Sequence, residues 1–292
     1  DDRANITDTQ RSAALAQFTL DMGPGQVSAP GITTDSIHQI LVAHADTHNR
    51  VAILDLADTA NAATLESAAA NARVGGIAGG TWAPWLVAPG PVSGSVVTVP
   101  PSAFIAALCA RNDGEFNQDT PWAGEQGVAQ FVTGLSQAAW DDATRQTMNA
   151  SGVNVILSKY GSIRNYGWRS IVDPAGPNAD WVNLGNVRLA MAIAAQGDLI
   201  AEEFMFSVLD GQGIDIGAYQ GALTAMLRQF WQAGSLYGAD PSDAFFVDVG
   251  PTVNTVNTLA NNELHAVLNV KMSPMAEFVQ INIVKVPIGQ TV

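Results

Sequence analysis

Between Val51 and Ala110 the chain alternates short extended runs with helical ones, and this alternation restricts the fold more than any other feature. VAILDL (Val51–Leu56) is a short apolar run of the kind found in strands buried on both faces. The Ala-rich stretch Ala60–Ala72 follows as a helix. TWAPWLV (Thr81–Val87) reads as a strand carrying two tryptophans and an internal proline. Proline has no N–H to give to a ladder, so this strand is expected near a sheet edge. Ser95–Val99 is extended, and Pro100-Pro101 opens a helix through Ala110, because the first helical turn needs no intrahelical N–H. Strands alternating with helices predict a parallel or mixed sheet covered by helices. Before this region, Gln10–Leu20 and Thr34–Asp46 read as helices and GPGQVSAPG (Gly23–Gly31) as a Gly/Pro-punctuated loop. After it, Asn112–Asp141 reads as a long ordered loop anchored by Trp122 and Trp140, and Asp141–Ala150 as a short helix.

The second half has a different pattern. Gly152–Pro174 opens with two short strands around a Gly/Ser/Asn turn. Val182–Val208 is helical, with Leu184, Val187, Met191 and Ala194 on one stripe and Gly197 as a point where it would kink or divide. Ile214–Ala233 is a second helix striped by Tyr219, Leu223, Met226 and Phe230. Phe245–Val249, Glu263–Met272 and Phe278–Val286 read as strands. In the middle one, Leu264, Ala266, Leu268, Val270 and Met272 share a face. The fold class is therefore α/β plus α+β. An N-terminal strand–helix domain with a mixed sheet spans 1–151, and a C-terminal domain of two helices packed on a small sheet spans 152–274. A terminal arm strand occupies 275–292.

Composition favours assembly over chemistry. Only 14% of the 292 residues are charged, against roughly a quarter in ordinary soluble domains, as expected if other subunits cover much of the surface. A net charge of −14 and a pI near 4.4 exclude binding to a nucleic-acid backbone, which needs clustered Lys and Arg. No apolar stretch reaches the ~18 residues of a membrane span, so membrane insertion is not expected. The single cysteine, Cys109, lies in the apolar helical run AFIAALCARN and reads as a small core residue.

Motifs of catalysis are poor, and a hydrolase using His44 and His48 or Asp55 stands as the alternative to an assembly role. His44 and His48 have the i, i+4 spacing of helical metal ligands. HADTH lacks the glutamate of a zinc hydrolase, however, and reads as two polar residues on an exposed helix end. His38 and His265 read as surface or cross-strand residues. GGIAGG (Gly75–Gly80) has no following Lys-Ser/Thr and does not open a helix, so it is a flexible connection and no phosphate loop. Glu202–Glu203 and Asp141–Asp142 are sequence neighbours that point apart on a helix, hence solvated. Arg164, Arg169 and Arg188 are candidates for structural or inter-subunit salt bridges. No cofactor is called for.

Taken in order, these segments resemble the tail sheath proteins of contractile-tailed bacteriophages and of related phage-like injection particles. The resemblance is carried by GPGQVSAPG (Gly23–Gly31), HNRVAILDL (His48–Leu56), APWLV (Ala83–Val87) and VPPSAFIAALCARNDGEF (Val99–Phe116). It continues through GVNVI (Gly152–Ile156), GWRSI (Gly167–Ile171) in place of a Gly-x-Arg-Thr pattern, and VNLGNVRLAMAI (Val182–Ile193). It ends with SLYGADPSDAFFVDV (Ser235–Val249) and SPMAEFVQINI (Ser273–Ile283). Their collinear order over nearly the whole chain carries the resemblance, and no single motif does.

The resemblance implies a structural subunit, not an enzyme, that stacks as hexameric rings in a helical polymer around an inner tube and contracts to drive that tube through a cell envelope. Its implied partners are further copies of itself, the tail tube protein, and baseplate and tail terminator proteins. The implied location is a phage tail sheath in a virion assembled in the host cytoplasm, or the sheath of a bacterially encoded injection particle. An N-terminal arm usual in such proteins is expected to be missing. The terminal residues Phe278, Val279, Gln280, Ile281, Asn282, Ile283 and Val284 are expected to add a strand to a neighbouring subunit. Arg228, Gln229 and Gln232, on the helix Ile214–Ala233, are the expected tube-facing residues.

Overall fold

The computed structural model describes residues 5–115 and 117–277. Helix α1 (Asp8–Leu15) begins at a reciprocal cap: Gln10 N donates to Thr7 Oγ1, and Thr7 N donates to Gln10 Oε1 at 2.8 Å. It stops well short of Leu20. The Arg50 guanidinium donates to the carbonyls of Phe18 and Thr19 at 2.6 Å each, groups that a continuing helix would use internally. The following segment, expected as a loop, forms β1 (Gly25–Ser28), a short edge strand parallel to β2 (Arg50–Asp55). Between them lies α2 (Asp35–Thr47).

After β2 come α3 (Ala62–Ala72), β3 (Gly79–Ala83), β4 (Leu86–Pro89) and β5 (Val96–Val99). The single edge strand expected over Thr81–Val87 is thus two strands in two sheets, divided at Pro84 and Trp85. β3 lies in the middle of its sheet. Gly79 and Gly80, expected in a flexible connection, belong to β3, where a Cβ on Gly80 would lie 2.6 Å from the Trp82 ring. The chain continues through α4 (Ser102–Glu115), β6 (Gly134–Leu135), α5 (Asp142–Ala150), and the hairpin of β7 (Val153–Lys159) and β8 (Ser162–Asn165). Lys159 pairs with Ser162, leaving Tyr160 (φ 52°) and Gly161 (φ 78°) as the two turn residues. Both are left-handed, as the tightest hairpin turn requires.

The main sheet has the order β1-β2-β3-β7-β8, parallel up to β7, with β8 antiparallel to β7. A small antiparallel sheet, β5-β4-β6, flanks it. The expected division at 151/152 falls between α5 and β7, and β7 pairs with β3 in the main sheet. One core therefore takes in residues from both sides of that point. It joins Ile37 and Leu41, Val51 and Ile53, Trp82, Ile105, Trp122, Ile156, Trp168 and Leu184. A smaller cluster of Leu56, Leu65, Met148 and Val155 packs α3 and α5 against the sheet.

The remaining elements are α6 (Leu184–Phe204), α7 (Ile214–Gln232), α8 (Pro241–Ala244), β9 (Phe245–Asp248), α9 (Val256–Ala260) and β10 (Val267–Val270). α6 runs unbroken through Gly197, where no atom lies within 4 Å of an added Cβ. It belongs to both cores: Leu184, Val187 and Met191 enter the first, and Leu189, Ala192 and Ile193 the second, while Ala194 is exposed. The second core packs Leu223, Met226, Leu227 and Phe230 of α7 against Phe245 and Val247. β10 is shorter than the expected Glu263–Met272, but Leu264, Ala266, Leu268, Val270 and Met272 all face this core. The two-part architecture, α/β followed by two helices on a small sheet, is present.

Candidate assembly surfaces

Several buried polar side chains have structural partners, whereas the buried indole nitrogens of Trp82 and Trp168 have none among the described residues. Asp55 ends β2 almost fully buried and accepts from Gly31 N (2.9 Å), Ser102 N (2.7 Å) and Ser102 Oγ (2.7 Å). It thereby fastens the loop before α2 and the first turn of α4 to the sheet. Burial raises its pKa, and these hydrogen bonds oppose the rise. His38 is buried, not at the surface, because it shares the inward face of α2 with Leu41, Val42 and Ala45. Its Nε2 lies 3.2 Å from Ile32 O, and desolvation lowers its pKa. His44 is buried as well, correcting the expected exposed helix end. Its ring stacks on His48 with centroids 4.1 Å apart. Arg50 Nη1 donates to His44 Nε2 at 2.8 Å, which occupies the nitrogen a metal would need. No metal-binding group of three His, Cys, Asp or Glu occurs among the described residues. Cys109 is buried, its thiol pushed up to about 11, mainly by burial.

The three arginines singled out in the sequence lie in three different settings. Arg188 is fully buried on α6, where it donates to Gln118 O at 3.0 Å and to Asp113 Oδ1 at 2.5 Å. It ties α6 to the end of α4 and to the loop beyond. Arg169 donates Nε to Glu277 Oε1 at 2.9 Å and Nη2 to Glu277 Oε2 at 2.5 Å. Its backbone is held by the buried Asn154, whose Oδ1 accepts from Arg169 N and whose Nδ2 donates to Arg169 O. Arg164 has no carboxylate among the described residues; its guanidinium carbon lies 5.8 Å from the Tyr160 ring centroid.

The Arg169–Glu277 pair lies in a groove of about 910 Å³ lined by Arg145, Lys159, Tyr166, Trp168 and residues 275–277. Residues 271–277 reach it as a strap. Tyr237 N donates to Lys271 O at 2.8 Å, Ser273 N to Ser235 O at 2.9 Å, and Met275 packs on the first core. The expected donor strand, Phe278–Val284, lies outside the described residues. Arg228, Gln229 and Gln232 are exposed on the side of α7 turned away from the second core.

The sequence reading missed two exposed surfaces. One is the β7–β8 turn, where Tyr160 is 84% exposed beside Lys159 and Arg164. The other is the α6–α7 turn, where Phe206 is 99% exposed between Met205 and Val208. The signal for the second was available, since FMFSVL is an apolar run between two helix ends.

The fold is that of the contractile tail sheath proteins. Over 95% of this chain and 73% of the other, it superposes with a TM-score of 0.76 and 19% identity on a chain of the six-fold symmetrised anti-feeding prophage baseplate. A chain of the PVC sheath complex, from an extracellular contractile injection system in the contracted state, gives 0.72 and 18%, covering 89% of this chain and 70% of that one. The sheath tail protein of Desulfitobacterium hafniense gives 0.56 and 10% over 82% of this chain and 52% of that one. No family profile matches the sequence. No curated protein matches it. No helix among the described residues is long and apolar enough to cross a membrane.

Proposed function

We propose that the chain is a structural subunit of a contractile sheath, assembling with copies of itself as stacked rings around an inner tube. The observation that carries this reading is the fold match over 95% of the chain to an anti-feeding prophage baseplate chain. The buried carboxylate and histidines are spent on internal hydrogen bonds, which suits a structural role. Both a phage tail, driving genome delivery, and an injection particle encoded by a bacterium are compatible with these features; the matched structures from named injection systems favour the latter.

In this reading the residues beyond Glu277 leave the groove and add a strand to a neighbouring copy. Each main-chain hydrogen bond so formed contributes about 0.5–1.5 kcal/mol, enough in series to hold copies together while weaker contacts exchange. The outer face of α7, with Arg228, Gln229 and Gln232, meets the tube. Arg228 is the one cation of that helix, so the attraction is weak and the surface can release. Baseplate and terminator proteins close the two ends of the polymer.

Negative-stain microscopy of the purified chain tests the reading. Striated tubes or rings are expected, and a monodisperse monomer at all concentrations would refute it. Arg228→Glu should reduce assembly on purified tubes while leaving tube-free polymers intact.

A further inference from the structure

The β7–β8 hairpin carries a basic–aromatic platform on a strongly acidic chain. Lys159 Nζ lies 4.5 Å from the Tyr166 ring centroid and 5.4 Å from that of Tyr160, and donates to Tyr166 Oη at 2.7 Å. The Arg164 guanidinium carbon lies 5.8 Å from the Tyr160 centroid. Among the described residues neither cation is paired with a carboxylate, although the chain carries 27 Asp and Glu against 13 Lys and Arg. Tyr160 and Tyr166 are 84% and 44% exposed. The two rings are exposed, and Lys159 and Arg164 stand half-buried beside them, the Arg164 Nε being buried without a hydrogen-bond partner.

The turn between α6 and α7 has the complementary character. Glu202 and Glu203 end α6 exposed and without a cation among the described residues, and beside them stand Met205, Phe206 and Val208, 55%, 99% and 84% exposed. Phe206 has φ 65°, in the left-handed region that a non-glycine residue rarely adopts. The turn is nonetheless fixed. Asp210 Oδ1 accepts from Gln212 N at 3.1 Å and Ile214 N at 2.9 Å, and Phe204 packs on Tyr219 with ring centroids 5.1 Å apart.

We infer that the α6–α7 turn of one copy docks on the β7–β8 platform of the next, with Glu202 and Glu203 facing Lys159 and Arg164 and Phe206 seated on the tyrosines. The inference rests on the polymer reading above and names one contact within it. Because the two surfaces lie on different cores, the contact is head-to-tail and propagates. Desolvated charge at such a contact sets register and excludes wrong partners.

A two-variant mixing experiment tests it. Lys159→Glu with Arg164→Glu makes both surfaces acidic, and Glu202→Lys with Glu203→Lys makes both basic. Each variant alone should lose the sedimenting polymer, by about tenfold or more at equal concentration. An equimolar mixture should recover it, since every junction in an alternating polymer is then complementary. Glu202 and Glu203 are exposed and Lys159 and Arg164 half-buried, and melting curves matching the parent chain establish that each variant folds. Polymerisation of either variant alone at the parent level would overturn the inference, as would a mixture that stays soluble while the parent polymerises. If the parent chain itself forms no polymer, the sheath reading fails, and the contact is then read as complex formation between the two variants by sedimentation velocity. Absence of that complex would overturn it.

Discussion

Arg169 grips Glu277 with two nitrogens on two oxygens, and this pair fixes the point at which the chain leaves its second core and reaches the groove beside β7 and β8. Both partners are partly shielded, with side-chain exposures of 18% and 25%. Asn154 pre-positions Arg169 from within the sheet.

Glu277→Gln keeps the shape of this clasp and removes its charge. For a partly exposed pair the cost to folding is about 1 kcal/mol or less, and the melting temperature should fall by only ~2–4 °C. Assembly should suffer far more than stability, with the critical concentration for polymer formation rising several-fold. Parallel thermal melts and sedimentation assays check this. Equal loss in both would assign the pair to the fold alone.

The buried histidines set the pH response of folding. Desolvation lowers the pKa of His38, and it is the main cause of the lowering for His44, with His48 and Arg50 adding to it. The unfolded chain therefore takes up protons that the folded chain resists. Their contribution to stability is complete above the ordinary histidine value of 6.5 and declines as pH falls through it toward the depressed folded values. Asp55, raised by burial, has the opposite sign, its cost appearing only as pH rises above the ordinary value of 3.8. Between pH 8 and pH 5 the melting temperature should fall, and His38→Gln should flatten the slope relative to the parent chain.

Gly197 lies inside α6 with open space where a Cβ would be. Gly197→Ala should stabilise the chain by about 0.5–1 kcal/mol through helix propensity and a less flexible unfolded state. A urea titration checks this through an increased midpoint at unchanged slope.

Much of the fold was legible because periodicity reports burial. VAILDL could hardly be anything other than a central strand, and the Leu264–Met272 alternation faces the second core as expected. β1 was not legible, since four residues between Gly and Pro become a strand only when β2 supplies the parallel ladder. The central place of β3 was hidden because Gly79 and Gly80 look like a linker, whereas the Trp82 ring leaves no room there for a larger residue. His38 could have been found by asking which residues share a helical face with Leu41 and Ala45. Of the candidate surfaces, exposure of Arg228, Gln229 and Gln232 followed from the apolar stripe on the other side of α7. The Lys159–Tyr166 platform did not, because it exists only once the hairpin turn brings its two ends together.

The most direct test of the account compares the full chain with a chain ending at Glu277, by negative-stain microscopy and thermal melting. The account predicts ordered tubes or rings from the full chain, and from the shortened chain a folded, soluble subunit that melts within a few degrees of the parent and forms no polymer. Ordered tubes from the shortened chain would contradict it.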